Sequence, residues 1–222
     1  VFGPQLSTQT VHATTPEMIQ TGLALDINAS NATDRSKLTP GGSPAYTAGS
    51  GGYYTLSSAS SQYLMNSTTP VTQGSGNKFS VFMWVYPTAA GQLLSHLGQT
   101  TINSGYHTSI IDYTSSDQMI FGLWRSQSGQ VTATSTIATP KNNWYHVGFV
   151  YDGTKITAYI NGVSAGTSAD FTFGPPLNSY FGIGAIDSTI MVQAAGYGNM
   201  RFGSLSVYNR DLTGSEVSTN FA

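Results

Sequence analysis

The sequence predicts an all-β fold, a two-sheet antiparallel β-sandwich of the jelly-roll kind closed by one short C-terminal helix. Three observations carry this prediction. Short apolar or alternating runs recur along most of the chain, and turn-forming pairs separate nearly all of them. No stretch of the middle repeats its apolar residues at the helical interval. A chain of 222 residues suits one large sandwich, since all-β domains reach this size without splitting.

Residues 1–20 read as an approach segment, in which Thr14 as cap and Glu17 three positions later mark a one-turn helix start. The domain proper is expected over 21–222. Leu23, Leu25 and Ile27 alternate with Ala24, Asp26 and Asn28, the pattern of a half-buried strand. Thr39 to Gly52 is rich in Gly, Pro and Ser and reads as a loop. Strands are then expected at Tyr53–Leu56, Tyr63–Met65, Phe79–Tyr86, Gln92–His96, His107–Tyr113 and Met119–Trp124. Further ones follow at Val131–Thr136, Trp144–Tyr151, Ile156–Ile160, Tyr180–Ala185 and Phe202–Tyr208. Asp152-Gly153, Asn161-Gly162, Ser128-Gly129 and Pro175-Pro176 supply the turns.

Phe79, Val81, Met83 and Val85 share one face of their strand, and Phe82, Trp84 and Tyr86 share the other. A strand apolar on both faces belongs inside a sheet, covered on both sides or facing a groove. Thr213 and Glu216 form a capping box, with Leu212 and Val217 at the staple positions, so one short helix closes the domain.

Three segments resemble the laminin-G-like branch of the concanavalin A-like lectin/glucanase superfamily. The run from Lys78 to Val85 is similar to its early central strand. Asn143 to Thr154, leading to Tyr159-Ile160-Asn161-Gly162-Val163, is similar to its hairpin. Leu205 to Thr213, with Ser215-Glu216-Val217, resembles its closing strand and helix. The resemblance implies a concanavalin A-like jelly roll. The residues agree: Trp144, Val147 and Phe149 offer core area, and Asn161-Gly162 is a type I′ turn pair. Pro16 to Leu25, continuing through Asn28 to Asn31, resembles the leading segment of such domains in bacteriophage and algal-virus structural proteins. Those relatives usually read Leu-Asp-Ala-x-Asn, whereas this chain reads Leu25-Asp26-Ile27-Asn28-Ala29.

Composition narrows the function. Only 8% of residues are charged, against roughly 25% in an ordinary soluble domain, so hydroxyls and amides carry solubility. The formal net charge is −2 and the eight basic residues form no stripe, which argues against nucleic acid. No apolar run is long enough for a membrane helix. Cysteine is absent, so there is neither a disulfide framework nor a thiolate metal site. The chain opens at Val1 without a leader and reads as a piece of a larger protein.

The superfamily includes glycosidases, whose chemistry needs two carboxyl groups at a set separation. The two glutamates here, Glu17 and Glu216, lie before the first strand and in the closing capping box. The aspartates are dispersed. A lyase would need a base and a charge neutraliser, for which His107, Tyr106, Tyr113 and Arg125 are the available set. His146 reads as structural. No cofactor is required. Calcium could use loop oxygens, and Asp112 to Asp117 is the nearest approach to a cluster.

Thirteen Tyr, ten Phe and three Trp exceed what a core needs, so some rings should reach the surface. Sugars stack their apolar faces on such rings while amides and hydroxyls take their hydroxyl groups. Trp124, Tyr113, Tyr106, His107, Tyr197 and Asn199 are the candidate ligand-binding residues, with Gln118 close in sequence. The expectation is a non-catalytic glycan-binding or attachment module on a virion surface or outside a cell. It would contact polysaccharide and neighbouring subunits, and it would be capable of homo-oligomerisation. A wall-degrading lyase or unusual hydrolase and a purely structural packing domain are the alternatives. The sequons at Asn28, Asn31 and Asn66 are explained by chance in a chain this rich in Ser and Thr.

Overall fold

The computed structural model describes residues 18–72, 74–97, 107–125, 129–174, 179–185 and 197–222. The expected helix start at 14–17, Tyr106, Ser128 and Pro175-Pro176 lie outside the described residues.

In chain order the strands are β1 (Leu23–Asn28), β2 (Leu38–Gly41), β3 (Ala45–Thr47), β4 (Tyr53–Leu56) and β5 (Tyr63–Val71). Next come β6 (Phe79–Ala89), β7 (Gly91–Leu97), β8 (His107–Tyr113), β9 (Met119–Arg125) and β10 (Gly129–Thr134). The last are β11 (Tyr145–Tyr151), β12 (Ile156–Ile160), β13 (Val163–Thr167), β14 (Ser179–Ile183) and β15 (Asn199–Tyr208). Two α-helices, α1 (Ala32–Arg35) and α2 (Gly214–Phe221), and two 3-10 turns at Ser58–Ser60 and Ser75–Asn77 complete the described elements.

These strands make two antiparallel sheets. One has eight strands, ordered β13-β12-β11-β6-β15-β4-β3 with β1 also paired to β15. The other has seven, ordered β10-β9-β8-β7-β14-β5-β2. Side-chain alternation turns Val81, Met83, Val85, Val147 and Phe149 of the first sheet toward Leu64, Leu94, Ile111, Phe121 and Ile183 of the second. This is the sandwich the sequence predicts, and β6 sits between β11 and β15 as its two apolar faces require.

The turn chemistry is local and visible. Asn161 (φ 49°) and Gly162 (φ 76°) both hold positive φ, as a type I′ turn demands, and join β12 to β13. The Asp152 carboxylate accepts from the Thr154 and Lys155 amides at 2.8 and 2.9 Å, clamping the turn before β12. At the C-terminus the Thr213 hydroxyl accepts from the Glu216 amide while Glu216 accepts from the Thr213 amide at 2.8 Å. Arg210 adds two bonds to Glu216, at 3.0 and 2.6 Å, and holds that carboxyl down at about 2.

Three expectations need correction. The stretch 39–52 is not all loop, because β2 and β3 fall within it as the edge strands of the two sheets. Pro40 is tolerated there since an edge strand can spare an amide donor. Leu23 does not share the face of Leu25 and Ile27, because a register shift between Leu23 and Leu25 moves it to the opposite side of the sheet. Trp144 is not core: it precedes β11 and lies half-buried on the outer face of the eight-stranded sheet.

That outer face carries a second apolar layer. Phe82, Val150, Tyr208, Leu212 and Val217 cluster there, sealed by α2. His146 belongs to it, with ring centroids 5.3 Å from Phe82 and 6.2 Å from Phe221. Between the sheets, His96 is fully buried among Phe79, Phe173 and Phe181, and its Nε2 lies 2.6 Å from the Ser179 hydroxyl. Asn28 and Asn66 are also buried, so neither sequon asparagine can accept a glycan on the folded domain.

Candidate functional site

The outer face of the seven-stranded sheet is built by alternation along β9. Met119, Phe121 and Leu123 enter the core, and Ile120, Gly122 and Trp124 therefore point away from it. Trp124 is 41% exposed, an unusual cost for an indole, and lies opposite Gln130 of β10.

A strip of amides and hydroxyls runs from there across β8 and β7. Gly122 has no side chain, and the Gln130 amide occupies the space its Cβ would take, 2.4 Å away. From that position Gln130 donates to the Ser109 carbonyl at 2.6 Å. The Ser109 hydroxyl donates to Asp112 at 2.5 Å and accepts from the Gln92 amide at 2.8 Å. Burial raises the Asp112 carboxyl above its ordinary range, and the Ser109 bond offsets this only in part.

The candidates from sequence distribute unevenly. Trp124 is on this face. Tyr113 is not available to a ligand: it is 2% exposed, and its one phenolic proton is shared between Asp117 at 2.7 Å and the Thr139 carbonyl at 2.8 Å. Burial and the Asp117 carboxylate push that phenol well above its usual value. It is a core tyrosine because it pairs with Met119, one face removed from Asp112. Tyr197 is half-buried and bridges Ala185, while the Asn199 carbonyl oxygen accepts from the Ser58 amide and hydroxyl, both at 3.0 Å. Gly198 between them packs on the Gln92 backbone, at the far end of the strip from Trp124. Ile120, opposite Asp112, is four residues from Trp124, about 13 Å along a strand, so the candidates do not form one cluster. His107 opens β8, but its side chain, like all of Tyr106, lies outside the described residues.

Asp112 and Asp117 do not converge as cation ligands. Asp112 turns outward to Ser109, whereas Asp117 binds the core-side Tyr113 phenol and lies 3.8 Å from Lys141. No group of three or more acidic, His or Cys ligands occurs among the described residues. Of the two glutamates, Glu216 is engaged by Arg210 and Thr213 in the first turn of α2, and Glu17 lies outside the described residues.

Sequence reasoning missed a second group, on the outer face of the eight-stranded sheet. Tyr53, Tyr86, Trp144 and Arg201 meet there, each half-buried. The alternation that put Tyr86 opposite the core-facing Val85 was the one available signal for it.

Residues 40–218 match a laminin G family model of the concanavalin A-like lectin/glucanases superfamily. The chain belongs to this superfamily. Among solved structures, this laminin-G-type domain is similar to Domain 4 of AbnA, a GH43 extracellular arabinanase from Geobacillus stearothermophilus, determined in complex with arabinotriose. The identity is 17%, the TM-score 0.56, and the match covers 90% of this chain and 98% of that one. The botulinum neurotoxin serotype G binding domain matches with 14% identity and TM-score 0.62, over 90% of this chain and 50% of that one. The native heptameric SAP-like pentraxin from Limulus polyphemus matches with 21% identity and TM-score 0.52, over 65% and 70%. Identities this low establish a shared fold. No curated protein matches the sequence.

Proposed function

We propose that this laminin-G-type domain is a non-catalytic glycan-binding or attachment module of a larger virion or cell-surface protein, working outside the cell. Trp124 and the Gln130–Ser109–Asp112 strip form its contact surface, with the buried Gln92 amide holding Ser109 from beneath. The observation that carries this reading is the 41% exposure of Trp124 beside a row of amides and hydroxyls. The exposed part of the indole regains free energy when a sugar ring covers it, and the neighbouring strip matches the sugar's hydroxyls. The arabinanase domain determined with arabinotriose supports a glycan as ligand class. The leading segment that resembles phage and algal-virus structural proteins, together with the charge-poor surface, supports the virion placement. The heptameric pentraxin lends support to self-association through the same fold.

The test is a glycan array followed by calorimetry on algal and bacterial wall polysaccharides. Binding that disappears in Trp124→Ala, with the thermal midpoint unchanged, is the expected result. Flat responses to every glycan would end the reading.

One observation favours an enzyme instead: a carboxyl raised by burial, Asp112, on the same sheet face as Trp124. Its described neighbours there are Gln92, Ser109 and Ile120, which supply no second acid. Reducing-end and unsaturated-product assays on the same polysaccharides should show no turnover. Turnover lost in Asp112→Asn or His107→Ala would replace the binding reading with catalysis.

A further inference from the structure

We infer that the outer face of the eight-stranded sheet carries a second site, for an acidic sugar residue, in which Arg201 takes the carboxylate and Trp144, Tyr53 and Tyr86 take the sugar's apolar face. The site stands on its own residues and does not depend on Trp124.

Sheet register assembles it. Arg201 of β15 lies opposite Tyr86 of β6 on one side and Thr55 of β4 on the other. Tyr53, two residues before Thr55, shares that face, and Trp144 enters beside Tyr145, which pairs with Val85. The Trp144 ring is 6.0 Å from Tyr53 and 5.6 Å from Tyr86, edge-on to both. Its seat is Gly203, where a Cβ would come within 3.3 Å of both Trp144 Cζ3 and Trp84 Cβ. Phe221 of α2 stacks on Trp84 at 6.0 Å and closes the far side, so the platform ends there.

The arginine gives the platform its specificity. Its guanidinium carbon lies 4.6 Å from the Tyr86 ring centroid and 5.2 Å from that of Tyr53, so two cation–π contacts hold it in place. A contrast within the molecule shows what is left over. Arg35 lies 4.2 Å over Tyr46 in the same manner, but its Nη1 donates to the Ala29 and Ser30 carbonyls and to the Tyr46 hydroxyl. Lys37, Lys78 and Arg210 are each spent on a carboxylate within 3 Å. The Arg201 guanidinium has no carboxylate or hydrogen-bond acceptor among the described residues. A cation fixed by two rings, with its planar fork of donors unspent, is preorganised for a bidentate carboxylate. A neutral sugar would cover the rings and leave the fork unsatisfied. A uronic or sialic acid satisfies both.

The test is titration of the whole domain at low salt with trigalacturonate, its methyl ester and sialyllactose. Calorimetry is paired with NMR of the Trp144 indole N–H and the Arg201 Nε–H. At least one of the two acids should bind and shift both signals, and the methyl ester should bind about tenfold more weakly or worse, having lost the charge-assisted pair. Arg201→Gln should lower acid affinity to that of the ester, and Arg201→Lys should recover part of it. Absence of binding by both acids, equal affinity for acid and ester, or an unaffected Arg201→Gln would overturn the site. The acid-against-ester comparison is made on the unaltered protein, so it decides even if a variant folds poorly. Loss of binding in Trp124→Ala for neutral glycans alone would report on the first site and not on this one.

Discussion

On the eight-stranded sheet the outward positions of β6 carry Phe82, Trp84 and Tyr86, and α2 covers the first two of these. On the seven-stranded sheet the outward positions of β9 carry Ile120, Gly122 and Trp124, and their neighbours are amides and hydroxyls. The first face is thus a second core that thins into an aromatic platform, and the second is a polar strip with one projecting ring. The difference teaches that ring content alone does not distinguish a structural face from a binding face. What distinguishes them is whether the rings are sealed by another element or left at its margin.

Removing the seal's main occupant should have the largest effect. Phe82 is 1% exposed, and Phe82→Ala should cost about 3–5 kcal/mol, read as a lower midpoint in denaturant unfolding. The same truncation at Trp124 would separate the faces cleanly if it left the midpoint almost where it was.

Acid should come next, because each sheet buries a histidine. Burial lowers His96 to about 3 and His146 to about 4, so both rings are neutral in the folded domain. Below pH 6.5 the unfolded chain takes up protons that the folded chain refuses. Stability is therefore whole above that pH and is lost as the pH falls toward 4. Between pH 6.5 and 5 each histidine should cost about 2 kcal/mol. Denaturant melts across this range would show it, and His146→Phe should remove only the contribution from beneath α2.

Smaller changes sharpen the boundary between seal and platform. Gly203→Ala should cost about 1 kcal/mol and shift the Trp144 fluorescence, since the new methyl meets that ring. Thr213→Ala removes the cap of α2 and should cost about 1 kcal/mol in the same melts. Trp124→Ala should change stability by no more than about 0.5 kcal/mol while abolishing neutral-glycan binding.

Much of the fold was legible because its signals are local. Alternation placed β6 inside a sheet, Asn161-Gly162 required positive φ, and Thr213 with Glu216 announced α2. The misreadings share a cause, which is that each depended on a partner strand. β2 and β3 exist because β5 and β4 offer them backbone groups, whatever their Gly, Pro and Ser content. The candidate site was less legible still. Of the six residues named, Trp124 projects from the sheet, Tyr113 is core, and Asn199 spends its side-chain carbonyl on Ser58.

The order of residues was enough to determine that this chain forms short strands, where it turns, and that one capped helix ends it. These follow from backbone dihedrals and side-chain parity, which act over a few residues. Only the tertiary structure decided that Trp144 would rest on Gly203, that Arg201 would lie between Tyr53 and Tyr86, and that Tyr113 would turn inward. Such choices depend on which strands become neighbours and in what register, and a one-residue slip would move each of those side chains to the other side of its sheet.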